Sequence, residues 1–571
     1  MSLDFRNTNT LWASIFVETL ARCGLKTAII CPGSRSTPLT VAFARNKAVE
    51  AIPVLDERSA AFFALGIAKQ SGLPVALVCT SGTAGANFYP AVIEARYSHV
   101  PLLILTADRP PELRECYSGQ TIEQLRLYGN YPNWQVELAL PSREMGMLRY
   151  LRQTTVQAWR RTILPVPGVV HLNIPLCDPL APIAEESRES QLNLDEFFQG
   201  VGKIVNSNLS LPLPSQWQEF ERGVIIAGVA QPTNPQLYCQ AVGKLSQWLG
   251  FPVLGEGLSP IRNYADLNPY LVCTYDQILR QPKLAQKLKP RIIIQLGKLP
   301  TSKILRAWLA ASKAHCWAIE PTTENCDPLH NNTTHLSTTV ENIASQIPVF
   351  KAKKTDYCHQ WLRAETTTRQ AINQTMNQVN NLLESKISWL LSQTLAPETP
   401  LFIANSMPVR DVEFFWQSNN RQIKPFFSRG ANGIDGTLST ALGIAYRQQS
   451  SVMLTGDLAL LHDTNGFLLH QNFIGHLTIL LINNDGGGIF EMLPIAQFEP
   501  PFEEFFAMPQ QVSFAKLSAT YGVEYQLIQS WQQLQKLLNP LPKTGIRILE
   551  IPTNRRSDAQ WRKENLAKFA L

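Results

Sequence analysis

Short, unbroken apolar runs recur along the chain, each closed by a Gly- or Pro-rich turn and followed by a segment of helical periodicity. This alternation is the pattern of parallel α/β layers, whose strands are buried on both faces. The first block predicts strands at Thr27–Cys31, Ala51–Leu55, Pro74–Thr80, Pro101–Thr106 and Val169–Ile174, with a helix over Arg58–Gln70. After the polar stretch Glu185–Asn193 the rhythm restarts, with strands at Gly223–Val229, Arg291–Leu296 and Cys316–Glu320. It restarts again after Lys351-Ala352-Lys353-Lys354 and a long helical segment, at Pro400–Asn405, Ser451–Thr455, Leu477–Asn483 and Ile546–Ile551. The expected fold is α/β, three parallel-sheet domains over residues 1–190, 191–360 and 361–571. Ligands of open parallel sheets bind beyond the carboxyl ends of strands, so the informative residues should follow these runs.

Composition narrows the function classes. Of 571 residues 45% are hydrophobic and 17% charged, below the usual ~25% charged, which argues against a disordered chain. The balance of 51 Lys and Arg against 45 Asp and Glu is +6. No run of five basic residues occurs, so no nucleic-acid footprint is expected. The ten cysteines form no C-x-x-C pair. His315-Cys316 and Cys358-His359 have the wrong spacing for zinc, and reduced thiols of a cytosolic enzyme are expected. The N-terminus shows no secretory signal, and no apolar stretch reaches the ~18 residues of a membrane span. A cytoplasmic location without a membrane span is therefore expected, and Asn208-Leu209-Ser210 is read as a chance glycosylation sequon. Three common motifs are missing. Gly202-Lys203 lacks the first Gly and the final Ser/Thr of a P-loop, and neither a G-x-G-x-x-G fingerprint after a strand nor a G-x-S-x-G elbow is present.

Two loops carry the chemistry. Gly456-Asp457-Leu458 follows one strand, and Asn483-Asn484-Asp485-Gly486-Gly487-Gly488 follows the next, with Asn484 placed 484 − 457 = 27 residues after Asp457. An Asp oxygen, an Asn oxygen and a carbonyl from a Gly-rich turn suit Mg²⁺, completed by phosphate oxygens and water. Each piece alone reads as an ordinary turn. Together they resemble the diphosphate motif of thiamine diphosphate enzymes, which normally reads Gly-Asp-Gly and then Asn-Asn. Leu458 stands in place of the last Gly of that triplet, which leaves the ligands intact and points away from the pyruvate-oxidase-like branches. Glu57, in Val54-Leu55-Asp56-Glu57-Arg58, reads by itself as a helix-start acid favoured by the macrodipole. The resemblance gives it a catalytic role: in this family such a Glu hydrogen-bonds the aminopyrimidine ring and promotes removal of the cofactor's C2 proton.

The remaining loops select a branch. They are Cys31-Pro32-Gly33-Ser34-Arg35, Ala107-Asp108-Arg109-Pro110 with Gln120, Asn405-Ser406-Met407-Pro408-Val409-Arg410, Ser428-Arg429-Gly430, and Gly488-Ile489-Phe490-Glu491-Met492-Leu493. As a set they resemble the MenD-type synthases of menaquinone and phylloquinone biosynthesis, the SEPHCHC synthases. The resemblance spans the chain and is weakest in the middle block. It implies thiamine diphosphate and Mg²⁺ (or Mn²⁺) as cofactors. It also implies decarboxylation of 2-oxoglutarate and conjugate addition of the four-carbon unit to isochorismate. Ser34, Arg35, Arg109, Gln120, Lys303, Ser406, Arg410, Arg429, Phe490 and Leu493 match substrate-contacting positions. Glu57, Ile434, Asp457, Leu458, Asn484, Gly486, Gly487 and Ile489 match cofactor positions, with Asp457, Asn484 and Gly486 as metal ligands. Both substrates are dicarboxylates, and Arg pairs with carboxylate bidentately. The resemblance further implies a homodimer or homotetramer with the cofactor at the subunit interface. The nearest alternative is another thiamine diphosphate 2-oxoacid carboligase or decarboxylase, such as an acetohydroxyacid-synthase-like enzyme.

Overall fold

In the computed structural model, which describes residues 3–185, 194–202 and 213–570, the apolar runs form three sheets of six strands, all paired in parallel. The boundary expected near 190 and the Asn208 sequon lie outside the described residues. The first sheet holds β1 (Thr27–Ile30), β2 (Glu50–Pro53), β3 (Val75–Cys79), β4 (Leu102–Asp108), β5 (Trp134–Glu137) and β6 (Val169–Pro175), in the order 2-1-3-4-6-5. The middle sheet holds β7 (Gly223–Ala227), β8 (Val253–Gly255), β9 (Leu271–Val272), β10 (Ile292–Leu296), β11 (His315–Ile319) and β12 (Thr333–Leu336), in the order 12-11-10-7-8-9. The third holds β13 (Pro400–Ile403), β14 (Lys424–Phe427), β15 (Ser451–Gly456), β16 (His476–Asn483), β17 (Glu524–Leu527) and β18 (Gly545–Pro552), in the order 14-13-15-16-18-17. Counted from its own first strand, the third sheet repeats the order of the first.

Twelve of these strands coincide with the predicted runs. The other six, β5, β8, β9, β12, β14 and β17, do not appear in the apolar pattern. Five of them are edge strands, and β8 has three residues. An edge strand is covered on fewer sides and has less need of an unbroken apolar run: every residue of β4 is buried, whereas β17 is exposed at both ends.

The chain divides into two compact units. The first contains the first sheet together with Ser428–Tyr446 and His462–Phe473, and the second contains the middle and third sheets. In the first unit the helix Glu57–Ser71 begins at Asp56, whose carboxylate accepts from Ser59 N at 2.8 Å, and ends at Gly72 with φ +68°. It packs on the helix Thr437–Ala445 at backbone contact. A Cβ on Gly66 would sit 2.2 Å from Thr440 O, and one on Gly443 2.2 Å from Phe63 O, so the crossing requires glycine on both helices.

In the second unit the helix Asp356–Gln378 runs through position 360 and serves two cores. Tyr357 and Trp361 pack with the middle sheet's residues, while Ile372 and Met376 pack with the third sheet's. A buried ion pair joins the same two layers. Arg262 Nη2 donates to Glu413 Oε2 at 2.9 Å, and Gly257 N donates to the same oxygen at 2.6 Å. Among the described residues no helix is long and apolar enough to cross a membrane.

Candidate active site

In the first unit the expected residues gather where strands β1, β2 and β4 end. Gly33 lets the turn after β1 run against β3, since a Cβ there would meet Thr80 Cβ at 2.2 Å. That turn presents exposed Ser34 and buried Arg35. Arg35 Nη1 donates to Leu176 O at 2.9 Å, and its buried Nε has no partner among the described residues. Arg109, just after β4, donates to Ser81 Oγ and to Gln120 O, and Gln120 Nε2 donates to Ser81 O at 2.9 Å. Burial first, and then the neighbouring Arg35, hold the Arg109 guanidinium below its ordinary value. A desolvated, unpaired N–H beside a second guanidinium is suited to a carboxylate.

Glu57 occupies the first position of its helix, half-buried, with no hydrogen bond or ion pair among the described residues. The buried thiols of Cys31 and Cys79 at the ends of β1 and β3 are pushed far up, by burial first, and Glu57 contributes to both. Arg429 and Ile434 are on the loop before the helix Thr437–Ala445. Glu94, buried, holds that loop: it accepts from Gly430 N at 3.0 Å and Ala431 N at 2.7 Å.

In the second unit the order of the third sheet reverses between β13 and β15, the crevice where such sheets bind ligands. Ser406 and Arg410 follow β13, Asp457 and Leu458 follow β15, and Asn484 follows β16. Strands β15 and β16 are neighbours, with Gly456 paired to Ile482, so Asp457 and the Asn484 turn emerge side by side. Ser406 has φ +75° at the start of the helix Met407–Phe415, and Arg410 Nη1 donates to Ser406 O at 2.5 Å. Asp457 Oδ2 accepts from Gly486 N at 2.7 Å and Oδ1 from Leu458 N at 2.8 Å. Burial pushes its carboxyl up to about 6 against these two bonds. Gly486, at φ +131°, and Gly487 lie under the backbone of Phe506-Ala507, where a Cβ would come within 2.2 Å and 2.5 Å of carbonyl oxygens. Half-buried Ile489 and Phe490 and exposed Leu493 follow on the same segment.

The fit to a divalent cation rests on Asn484. Its Nδ2 donates to Glu384 Oε1 at 2.5 Å, while its Oδ1 is buried without any partner among the described residues. An orphaned buried acceptor beside a desolvated carboxylate is a costly arrangement. A hard cation would satisfy both oxygens, and the Gly486 carbonyl extends the same oxygen-only set. Among the described residues no group of three His, Cys, Asp or Glu side chains could hold a metal, in keeping with a donor set that has a single carboxylate. Lys303 stands apart, exposed at the first position of the helix Lys303–Ser312 after β10.

Sequence reasoning missed the residues behind these loops. Arg555 donates to Asp485 O at 2.9 Å, to Glu491 Oε1 at 3.1 Å and to Glu503, tying the Gly-rich turn to the segment above it. Arg562 donates to Glu384 Oε2 at 2.5 Å and to both oxygens of Asp411, at 2.5 and 2.9 Å. Asp558 beside them is pushed up to about 8, by burial first and then by Glu384. In sequence, Glu384 and Arg562 read as an ordinary helix-start acid and last-turn base, and no local signal joins them.

Two family models match the chain: "Thiamine pyrophosphate enzyme, N-terminal TPP binding domain" over residues 12–127, and "Middle domain of thiamine pyrophosphate" over 203–403. A 2-succinyl-5-enolpyruvyl-6-hydroxy-3-cyclohexene-1-carboxylate synthase of Gloeothece citriformis is 62% identical, with 100% of both chains covered. One from Nostoc sp. is 61% identical, over 100% of this chain and 99% of that protein. One from Crocosphaera subtropica is 54% identical over the same shares. Among solved structures, benzoylformate decarboxylase from Polynucleobacter necessarius superposes with a TM-score of 0.69 over 95% of this chain and 98% of that one. At 15% identity, that likeness establishes the fold alone.

Proposed function

The chain belongs to the family of 2-succinyl-5-enolpyruvyl-6-hydroxy-3-cyclohexene-1-carboxylate synthases among the thiamine pyrophosphate enzymes, and we propose that it catalyses the reaction of that name. It would take 2-oxoglutarate and isochorismate, release CO₂ and join the remaining four-carbon unit to the isochorismate ring.

Thiamine diphosphate, when bound, supplies the electron sink for decarboxylation and the carbon that carries the transferred unit. The chain's own residues bind, orient and move protons. Asp457, Asn484 Oδ1 and the Gly486 carbonyl would hold Mg²⁺, or Mn²⁺ in its place, which would anchor the diphosphate. The orphaned Asn484 Oδ1 carries this assignment. Leu458, Gly487 and Ile489 would line the cofactor in the second unit, and Ile434 is a candidate cofactor contact from the first. Glu57, at the first position of its helix and without a hydrogen bond or ion pair among the described residues, would hydrogen-bond the aminopyrimidine ring. Ser34, Arg35, Arg109 and Gln120 would form an anion-holding corner in the first unit and Ser406 with Arg410 another in the second, with Arg429 and Lys303 as further candidate carboxylate contacts. Fixing two dicarboxylates in register converts a bimolecular addition into an oriented one. Phe490 and Leu493 give the acceptor ring an apolar wall. The active form is at least a homodimer with the cofactor at the subunit interface, and the expected location is cytoplasmic.

A turnover assay with omissions tests the reading. Purified protein, thiamine diphosphate, Mg²⁺, 2-oxoglutarate and isochorismate are mixed, and the product is followed by mass spectrometry. Isochorismate loss that requires every component, with an adduct carrying the four-carbon unit, is expected. Glu57→Gln should keep cofactor binding and lose turnover. Decarboxylation of pyruvate with isochorismate untouched would move the chain to an acetohydroxyacid-synthase-like branch.

A further inference from the structure

Asn484 can offer an oxygen to a cation only if its amide is held one way round. Oδ1 and Nδ2 are nearly the same size, so the hydrogen-bond network decides which points inward. Here the deciding group is Glu384, 100 residues upstream and 1% exposed. Its Oε1 accepts from Asn484 Nδ2 at 2.5 Å and from Thr553 Oγ1 at 3.3 Å, and its Oε2 accepts from Arg562 Nη2 at 2.5 Å. Arg562, also 1% exposed, is itself fixed by Asp411. A guanidinium can only donate and an ionised carboxylate can only accept. The chain Asp411–Arg562–Glu384 therefore has one polarity, and it ends by turning Asn484 Nδ2 away from the crevice and leaving Oδ1 bare.

We infer that Glu384 is a positioning residue for the metal site: it sets the flip of the Asn484 amide, and the buried Arg562–Asp411 pair sets Glu384. The inference rests on the metal site proposed above. It makes an unusual demand on the isosteric variant Glu384→Gln. Arg562 still donates, so it claims the carbonyl oxygen of the introduced amide. The NH₂ of that amide then faces Asn484, which must present Oδ1 to it. The Asn484 amide flips, and an N–H₂ replaces the metal-binding oxygen with no change of volume. Aspartate at 484 has an oxygen on either side, so it is indifferent to the flip.

Mn²⁺ binding to the cofactor-free full chain, read by electron paramagnetic resonance of the free ion, tests this without turnover. Glu384→Gln is expected to bind Mn²⁺ about 10–100-fold more weakly than wild type, the usual effect of losing an outer-shell partner. The double variant Glu384→Gln/Asn484→Asp is expected to bind Mn²⁺ at least as tightly as Asn484→Asp alone, because the aspartate offers an oxygen whichever way it turns and the introduced amide donates to it in place of a like-charged carboxylate. That comparison also serves if the single variant Glu384→Gln fails to fold, since the introduced amide has an acceptor again in the double variant. Equal Mn²⁺ affinity in wild type and Glu384→Gln overturns the inference. So does a loss of more than about tenfold between Asn484→Asp and the double variant, which would mean that Glu384 acts by general structural support. Asp457→Ala separates the layers. If it binds Mn²⁺ as wild type does, the metal site itself is wrong; if it loses binding while Glu384→Gln does not, only the role of Glu384 is.

Discussion

The third and middle sheets, packed in one unit, treat the same topological opportunity in opposite ways. Both are parallel sheets of six strands whose order reverses beside the first strand, at β13 and at β7. Read from β9, the middle sheet has the order 3-2-1-4-5-6 of dinucleotide-binding folds, with its crevice expected between β7 and β10. In the third sheet the reversal is open. A Cβ placed on Gly456 would meet nothing within 4 Å, and Asp457 follows directly. In the middle sheet the equivalent loops are stitched together. Gly228 N donates to Leu296 O at 3.1 Å, Val229 N donates to Lys298 O at 3.3 Å, and a Cβ on Gly228 would sit 1.8 Å from Lys298 O. Glu256, after β8, is the kind of acid that such folds turn towards a ribose. Here it is fully buried and accepts from Thr301 N at 2.9 Å and Thr301 Oγ1 at 3.0 Å. Topology provides a crevice, and the loops decide whether it remains one. What the middle layer does instead is grip the helix Met407–Phe415, which carries Arg410, through Arg262, Gly257 and Tyr275 on Glu413.

The comparison can be broken at its open end first. Asp457→Ala removes a proposed metal ligand rather than a supporting group. Thiamine diphosphate affinity at fixed Mg²⁺ should fall by about 100-fold or more, beyond the range for outer-shell losses, with little change in melting temperature. Calorimetric titration of the cofactor measures it, and an unchanged affinity would close the third crevice as a candidate too. Gly228→Ala is the matching change at the stitched end. The added methyl overlaps a backbone carbonyl that cannot rotate away, so a stability loss of about 1–3 kcal/mol is expected. Cofactor affinity of the folded protein should stay as in wild type. If Gly228→Ala weakens the cofactor instead, the middle crevice is part of the site.

The contrast also shows what a sequence can reveal. The position of Asp457, Asn484 and Glu57 just after strands was legible, because apolar runs mark the place. The central strands were legible for the same reason: burial on both faces writes an unbroken run. Edge strands such as Glu524–Leu527 face partners on one side and leave a mixed pattern. The supporting pairs were illegible for another reason. Glu384 and Arg562 are 178 residues apart, Arg262 and Glu413 are 151 apart, and each residue alone resembles a surface charge near a helix end. Only the fold states that these charges are buried, and burial is what makes them matter. The closing of the middle crevice was equally invisible, because it is made by backbone groups that every residue carries.

A desolvated carboxylate gives the finest discrimination between the two crevices. Glu320 follows β11 at the carboxyl end of the middle sheet, with Gly297 close enough that a Cβ there would lie 3.4 Å from its Oε2. Burial raises its carboxyl to about 6, offset in part by Lys298. In the unfolded chain it ionises near the ordinary 4.5. Between these values the folded state holds more of the proton, so stability falls as pH rises from 4.5 to 6 and stays lower above 6. The effect should be about 1–2 kcal/mol. Glu320→Gln should remove that slope and be the more stable protein above about pH 7, as measured by denaturant unfolding across the range. Asp457 is pushed up to a similar value, but in an open crevice a cation can offset its desolvation. Mg²⁺ with thiamine diphosphate should therefore leave the difference between wild type and Glu320→Gln unchanged at every pH. A difference that collapses on adding them would mean that the stitched crevice also senses the ligand.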